Sequence, residues 1–334
     1  MSVSLEVENK QETVSELTTV PSAVRGVWKT VPALRVNDKF LTVRGDRIKF
    51  AQVHEEEWLT SDLTDPDLCI RLLKQHSGGD LRADIFTFTV KPSTTPPPYP
   101  YFSELESVAV IPLRSFKEWW ESLPQETRKN VRRSQKRGVT VRVEPFGDEL
   151  IHGIVDVNND SPVRQNTRFV HYGKTFEQVK FDQSSFVDRS DFICAYLEAE
   201  MIGFLKIVYR GNVASILQIL PKASHQDKRP GNALICKAVE LCEEKGIQYI
   251  TYGLYNYGNK KHSPLREFKE RNGFQELLVP RYFIPLTAWG SLAMRLKLHR
   301  GLIGLLPHTV ITAGVRARAA CYNLYRSWAG VAQR

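Results

Sequence analysis

Residues 192–233 read FICAYLEAEMIGFLKIVYRGNVASILQILPKASHQDKRPGNA, and this run decides the fold. Three apolar segments, 192–199, 201–210 and 212–220, follow one another with connections too short for anything but antiparallel hairpins. The loop 225–230 then leads into a helix over 232–245, whose apolar residues are Ala233, Leu234, Cys236, Ala238, Val239 and Leu241 and which Gly246 stops. A strand over 247–252 comes at once, then a loop rich in Gly, Asn and Tyr over 253–259. A short basic helix over 264–271 ends at Asn272-Gly273, and a last strand covers 277–284.

Towards the N-terminus the signals are shorter. Val139, Val141 and Val143 alternate with polar residues, a half-buried strand. Before it, Pro124 opens a helix that stops at Gly138. Its Arg128, Lys129, Arg132, Arg133, Lys136 and Arg137 make one broad positive stripe. Ser115 is placed to cap a helix over 116–122, and 108–111 is a short strand. Further back, ADIFTFTV over 83–90 has strand composition. Asp65 and Pro66 start a helix over 66–75. Arg44-Gly45-Asp46 turns between strands at 40–43 and 48–53.

The order strand–strand–strand–loop–helix–strand–loop–helix–strand resembles the GNAT acyltransferase superfamily. There the turn that opens the central helix reads Gln/Arg-x-x-Gly-x-Gly/Ala; here it is Lys228-Arg229-Pro230-Gly231-Asn232-Ala233. The chemistry suits a phosphate: N–H groups at a helix N-terminus attract anions, glycine permits close approach, and Lys228 and Arg229 add positive charge. Lys228 replaces the usual Gln or Arg, and Pro230 removes one backbone donor. In LREFKERNGF, residues 265–274, the pair Phe268-Lys269 puts a lysine where ordinary members carry a tyrosine. That pair, with RKNVRRSQKRGVTV over 128–141, resembles the Fem-type (FemAB-like) branch, in which a basic helix precedes the second of two related lobes. Residues 105–287 carry the resemblance.

The resemblance implies an α+β fold: a GNAT-like mixed, mainly antiparallel sheet flanked by helices, in two related lobes. The expected division is a disordered tail (1–22), a degenerate first lobe (23–113), a basic linker helix with the first strand of the second lobe (114–149), a catalytic lobe (150–287) and a basic amphipathic helical extension (288–334). It also implies an enzyme, an N-acyltransferase. The acyl group would come from acetyl-CoA or another acyl-CoA, or from an acyl carrier protein, and pass to an amine of a small-molecule, sugar or peptide acceptor. Two alternatives stand: a Fem-like transferase that uses aminoacyl-tRNA, and a non-enzymatic GNAT-like protein that binds a ligand or partner. On the enzymatic reading Gln218, Ile219 and Leu220 lie along the donor arm. Lys228, Arg229, Gly231, Asn232 and Ala233 hold the donor's phosphate, Phe268 joins the donor-binding set, and Asn256 binds the donor at the end of the fifth strand, beside the leaving group. Tyr257 and Tyr255 are the candidates for protonating the leaving group, and Lys269 for offsetting charge at the carbonyl or phosphate.

Composition bounds the rest. The net charge of +9 favours an anionic partner, whether a CoA phosphate, tRNA or an anionic membrane. After Pro280 the chain carries Arg281, Arg295, Lys297, Arg300, Arg316, Arg318, Arg326 and Arg334 and no Asp or Glu. The helices expected there suit docking on the core, an acyl carrier, or peripheral contact with lipid. Five cysteines without a C-x-x-C pair fit reduced, buried thiols. The His residues form no metal pattern. A polar N-terminus without an export signal leads to the expectation of a cytoplasmic protein, with contact at the inner face of the membrane as an option.

Overall fold

The computed structural model describes residues 15–24, 27–55, 62–76, 78–90, 99–164, 167–256 and 263–301. The first lobe contains β1 (Ser15–Val24), β2 (Val27–Val36), β3 (Lys39–Arg44), β4 (Phe50–Val53), α1 (Pro66–Gln75), β5 (Ile85–Thr89) and β6 (Phe102–Pro112). Helices α2 (Phe116–Ser122) and α3 (Gln125–Lys136) lead to β7 (Val139–Glu144) and α4 (Asp148–Asn159). After a small ribbon of β8 (Val163–Arg164) and β9 (Thr167–Arg168) come α5 (Phe176–Gln183), β10 (Ser190–Leu197), β11 (Glu200–Arg210) and β12 (Val213–Pro221). The second lobe closes with α6 (Pro230–Glu244), β13 (Tyr249–Leu254), α7 (Pro264–Arg271) and β14 (Gln275–Pro285), and α8 (Ala288–Arg295) follows.

Among the described residues one twelve-stranded sheet runs β1-β2-β3-β4-β5-β14-β6-β13-β12-β11-β10-β7. Its two halves repeat one plan. In the first, β3 and β4 are antiparallel, and α1 carries the chain across to β5, parallel to β4. In the second, β11 and β12 are antiparallel, and α6 carries it across to β13, parallel to β12. Each half then gives its last strand to the other: β6 pairs with β13, β14 pairs with β5, and β6 and β14 pair together at the centre. The mixed, mainly antiparallel sheet in two related lobes matches the expectation.

Local sequence explains most element ends. Asp65 caps α1 by accepting from the Leu68 N–H at 2.8 Å. Ser115 caps α2 in the same way. Gly138 takes a φ of +82° just past α3, the left-handed stop that a side chain resists. One apolar core lies between the sheet and α2, α3 and α6, and a second lies under α4 and α5 on the opposite face. A third packs α1 onto the first lobe. Burial pushes the thiols of Cys69, Cys194, Cys236 and Cys242 up to about 12, so all four are inert.

Two expectations need correction. The stretch 15–22, read as part of a disordered tail, belongs to a strand paired with β2 along its whole length. Thr18, Val20 and Ser22 alternate inward, and Pro21 is accommodated because β1 is an edge strand. The short strand expected at 108–111 extends over eleven residues as β6. Its first half looked polar because Glu104 and Glu106 are matched by partners distant in sequence, Arg300 with His299 and Arg281 respectively.

Candidate functional site

The second lobe opens where β12 and β13 part. They pair only over Val213–Ser215 and Tyr249–Thr251, and the buried hydroxyls of Ser215 and Thr251 meet at 2.8 Å at the fork. A bulge then bends β12: Lys206 faces Gln218 and Ile207 faces Ile216, leaving Leu217 as the extra residue. Beyond the fork β12 runs on along β11 through Gln218, Ile219 and Leu220, β13 runs on beside β6 through Tyr252, Gly253 and Leu254, and the unpaired gap between the two strands is the slot. Gln218 Oε1 accepts from Gln183 Nε2 at 2.8 Å.

The turn into α6 lies at the end of this slot. Arg229 takes the left-handed conformation (φ 58°, ψ 40°), Pro230 is the first helical residue, and no side chain caps the helix. Its first N–H groups are therefore a ready anion site. Phe268 lies over Gly231, where an added Cβ would sit 3.7 Å from the ring. Asn232 donates to Asn272 at 3.0 Å, fastening the turn to the end of α7. Asp160 caps the preceding turn through the Ala223 N–H at 2.5 Å and the Ser224 hydroxyl, and Arg164 holds the Pro221 carbonyl at 2.7 Å.

The corresponding place in the first lobe is closed. The N-terminus of α1 is occupied by Asp65, and Asp67 in its first turn accepts from the Tyr101 hydroxyl at 2.5 Å. Tyr99 reaches the Leu63 carbonyl at 3.1 Å, and Phe88, Tyr99, Tyr101 and Tyr282 pack as one aromatic cluster. Carboxylates at a helix N-terminus satisfy it from within and repel phosphate.

Lys269 is fully buried, and its Nζ donates to the carbonyls of both Tyr252 and Leu254 at 2.6 Å. It sits 4.6 Å from the centre of the Tyr252 ring. The lysine thus ties α7 to the rim of the slot, and burial lowers its pKa to about 8. Tyr255 is also buried. Its hydroxyl donates to Glu270 at 3.1 Å beneath the Arg266 guanidinium, and burial, then Glu270, raises its pKa. Asn256 donates to Glu276 at 2.8 Å and accepts from Arg266 at 3.0 Å. The side chains of Tyr255 and Asn256 therefore fasten the loop after β13 to α7, β6 and β14. Tyr257 lies outside the described residues.

Sequence reading passed over Lys206. It is buried on β11 and donates to the carbonyls of Gln183 and Ser185, each at 2.7 Å, capping the end of α5. It thereby fixes Gln183 against Gln218. The signal was present as a lone lysine inside the apolar run MIGFLKIV. Burial lowers its pKa to about 8 as well. The folded value lies below the unfolded one of about 10.4, so the cost of burying the charge is fully present below pH 8 and relieved as pH rises towards 10. Stability measured as the difference between the parent and Lys206→Met should shift in the parent's favour from pH 7 to pH 10. The ionising cysteines cancel in that difference. A pH-independent difference would show an unperturbed lysine.

The basic helix α3 buries Thr127, Val131 and Ser134. Thr127 donates to the Arg271 carbonyl at 2.9 Å, and Trp119 of α2 to that of Asn272 at 3.2 Å. The exposed face carries Lys129, Arg132, Arg133 and Lys136. At its end Arg137 bonds to the Asp227 carbonyl, and Asp227 in turn pairs with Lys228 at 3.1 Å. The positive stripe therefore runs into the turn at the start of α6.

No family model matches the chain, and no curated protein matches it. Solved structures do. FemX superposes with a TM-score of 0.53 at 10% identity, over 84% of this chain and 90% of its own. The C-terminal domain of a protein assigned as a lysylphosphatidylglycerol synthetase from Agrobacterium fabrum gives 0.52 at 15% identity, over 84% and 87%. The chain has a Fem-like fold. A conserved protein of unknown function from Bacteroides thetaiotaomicron is similar to this Fem-like fold at a TM-score of 0.50 and 9% identity, over 77% of this chain and 86% of its own. At such identities the likeness is one of fold, and the roles of residues in this Fem-like chain rest on the geometry above.

Proposed function

We propose that the chain is a transferase that takes an aminoacyl group from charged tRNA and passes it to an amine. The observation that carries this reading is the exposed basic face of α3 leading into the uncapped start of α6. Twelve helical residues extend over about 18 Å, a track for several successive phosphates rather than for one pyrophosphate. Phe268 over Gly231 and Pro230 at the first helical position both narrow the pyrophosphate cradle that a CoA donor would use. The neighbouring domain assigned to a lysylphosphatidylglycerol synthetase is named for a product that carries a lysyl group, in keeping with an aminoacyl donor.

In this reading the ester arm lies in the slot between Gln218–Leu220 and Tyr252–Leu254. The acceptor nitrogen attacks the ester carbonyl, the carbon–oxygen bond to the ribose breaks, and the proton lost by the amine is balanced by one returned to the leaving oxygen. Lys269 at the slot rim supplies positive potential as the carbonyl oxygen gains charge. Tyr257, which follows Asn256 in the chain, is proposed to return the proton. The slot itself also favours a second reading, an acyl-CoA or acyl-carrier donor whose linear arm fills the same space.

Binding separates the two. Affinity for total tRNA should fall steeply with salt, with log K against log salt sloping at about −4 or steeper, while acetyl-CoA leaves the melting temperature unchanged. Stabilisation by acetyl-CoA without salt-sensitive tRNA binding would replace the first reading with the second.

A further inference from the structure

Helix α8 is fixed rigidly on one side and bare on the other. Thr287 caps it, accepting from the Gly290 N–H at 3.0 Å and donating to Asp84 at 3.0 Å. Gly290 lies so close to the first lobe that an added Cβ would fall 2.0 Å from the Asp84 carbonyl oxygen, and Ala293 beside it is fully buried. Along the exposed side, at spacings i, i+3 and i+7 flanking the buried Ala293, stand Trp289, Leu292 and Leu296, which are 42%, 45% and 56% exposed. Trp289 is oriented by donating its indole N–H to the Arg47 carbonyl at 3.1 Å. Phe102, 51% exposed, packs edge-on at 5.9 Å against His299 in the turn that follows the helix.

The rim of this patch is positive. Arg47, Arg295, Lys297 and Arg300 are exposed around it. Among the described residues the carboxylates hydrogen-bonded to this element are paired: Asp84 with Thr287 and the Lys49 N–H, Glu104 with His299 and Arg300, each at 3.0 Å or less. No Asp or Glu follows Glu276 in the sequence, and Arg316, Arg318, Arg326 and Arg334 do.

From this arrangement we infer that α8 docks the protein on an anionic lipid surface, with Trp289, Leu292 and Leu296 entering the headgroup boundary and the basic rim meeting the lipid phosphates. An aromatic and two leucines flanked by cations is the composition of an interfacial helix. A second copy of the chain is a poorer occupant, because two such rims would repel. Among the described residues no helix is long and apolar enough to cross a membrane, so this contact is peripheral. The inference stands apart from the choice of donor.

The full chain is sedimented with vesicles of phosphatidylcholine alone or with about one-third phosphatidylglycerol, at about 0.1 M and about 0.5 M salt. Binding should require phosphatidylglycerol and weaken at high salt. It should fall roughly tenfold or more in Trp289→Ala/Leu292→Ser/Leu296→Ser and in Arg295→Gln/Lys297→Gln, with melting temperatures unchanged. Should the triple variant fail to fold, Leu292→Ser/Leu296→Ser, which touches only exposed side chains, takes its place. Undiminished binding by the folded variants overturns the inference, as does a parent chain that binds neither vesicle. A lipid-free dimer that the apolar variant splits also overturns it, by showing that a second copy covers the patch.

Discussion

Lys269→Ala is expected to lose transfer and to destabilise the chain by about 4 kcal/mol in a denaturant titration. The aliphatic stem is fully buried, so truncation leaves a cavity. The carbonyls of Tyr252 and Leu254, each held at 2.6 Å, are left without their donor at the point where β13 leaves its neighbour. Lys269→Met separates the two contributions. It restores the volume and should recover roughly half of the stability, yet transfer should remain down roughly a hundredfold or more because the positive charge at the slot rim is gone. A methionine variant with full transfer would assign Lys269 to structure alone.

Lys129→Glu/Lys136→Glu should weaken tRNA binding by roughly a hundredfold at low salt and flatten the salt dependence by about two units of slope. Both side chains are exposed on α3, so stability should move by no more than about 0.5 kcal/mol. Filter binding across a salt series reads both quantities. Unchanged affinity and slope would remove α3 from the donor path and with it the main support for an RNA donor.

Much of this site was legible because its determinants are local. The three hairpin strands before α6, the Asp65-Pro66 start of α1 and the Ser115 cap depend on neighbours a few residues away, and they are where the sequence put them. What was missed depends on distant partners. Nothing near Phe102 says that β6 will lie beside β13, or that β14 will lie beside β5, because exchanged strands look like ordinary ones until both lobes exist. The strand β1 was hidden by Pro21 and by an inward face, Thr18, Val20 and Ser22, with a single apolar residue. Within the site, residue type and approximate place were readable for Lys269 and the α6 turn. The direction of a side chain was not: Tyr255 points into the Glu270–Arg266 pair, a consequence of how α7 packs back on β13. Lys206 stood in plain view, but a lysine within an apolar strand reveals its role only when the end of α5 arrives over it.

The two lobes differ: the proposed donor site is formed by the slot and the α6 turn, and its counterpart at α1 is closed by Asp65, Asp67, Tyr99 and Tyr101. Hydrogen exchange on the full chain, with and without tRNA, tests it directly. Slowed exchange over residues 218–233 and 252–254, with residues 62–70 unchanged, is the predicted result. Protection over 62–70 with none over 218–233 would contradict it.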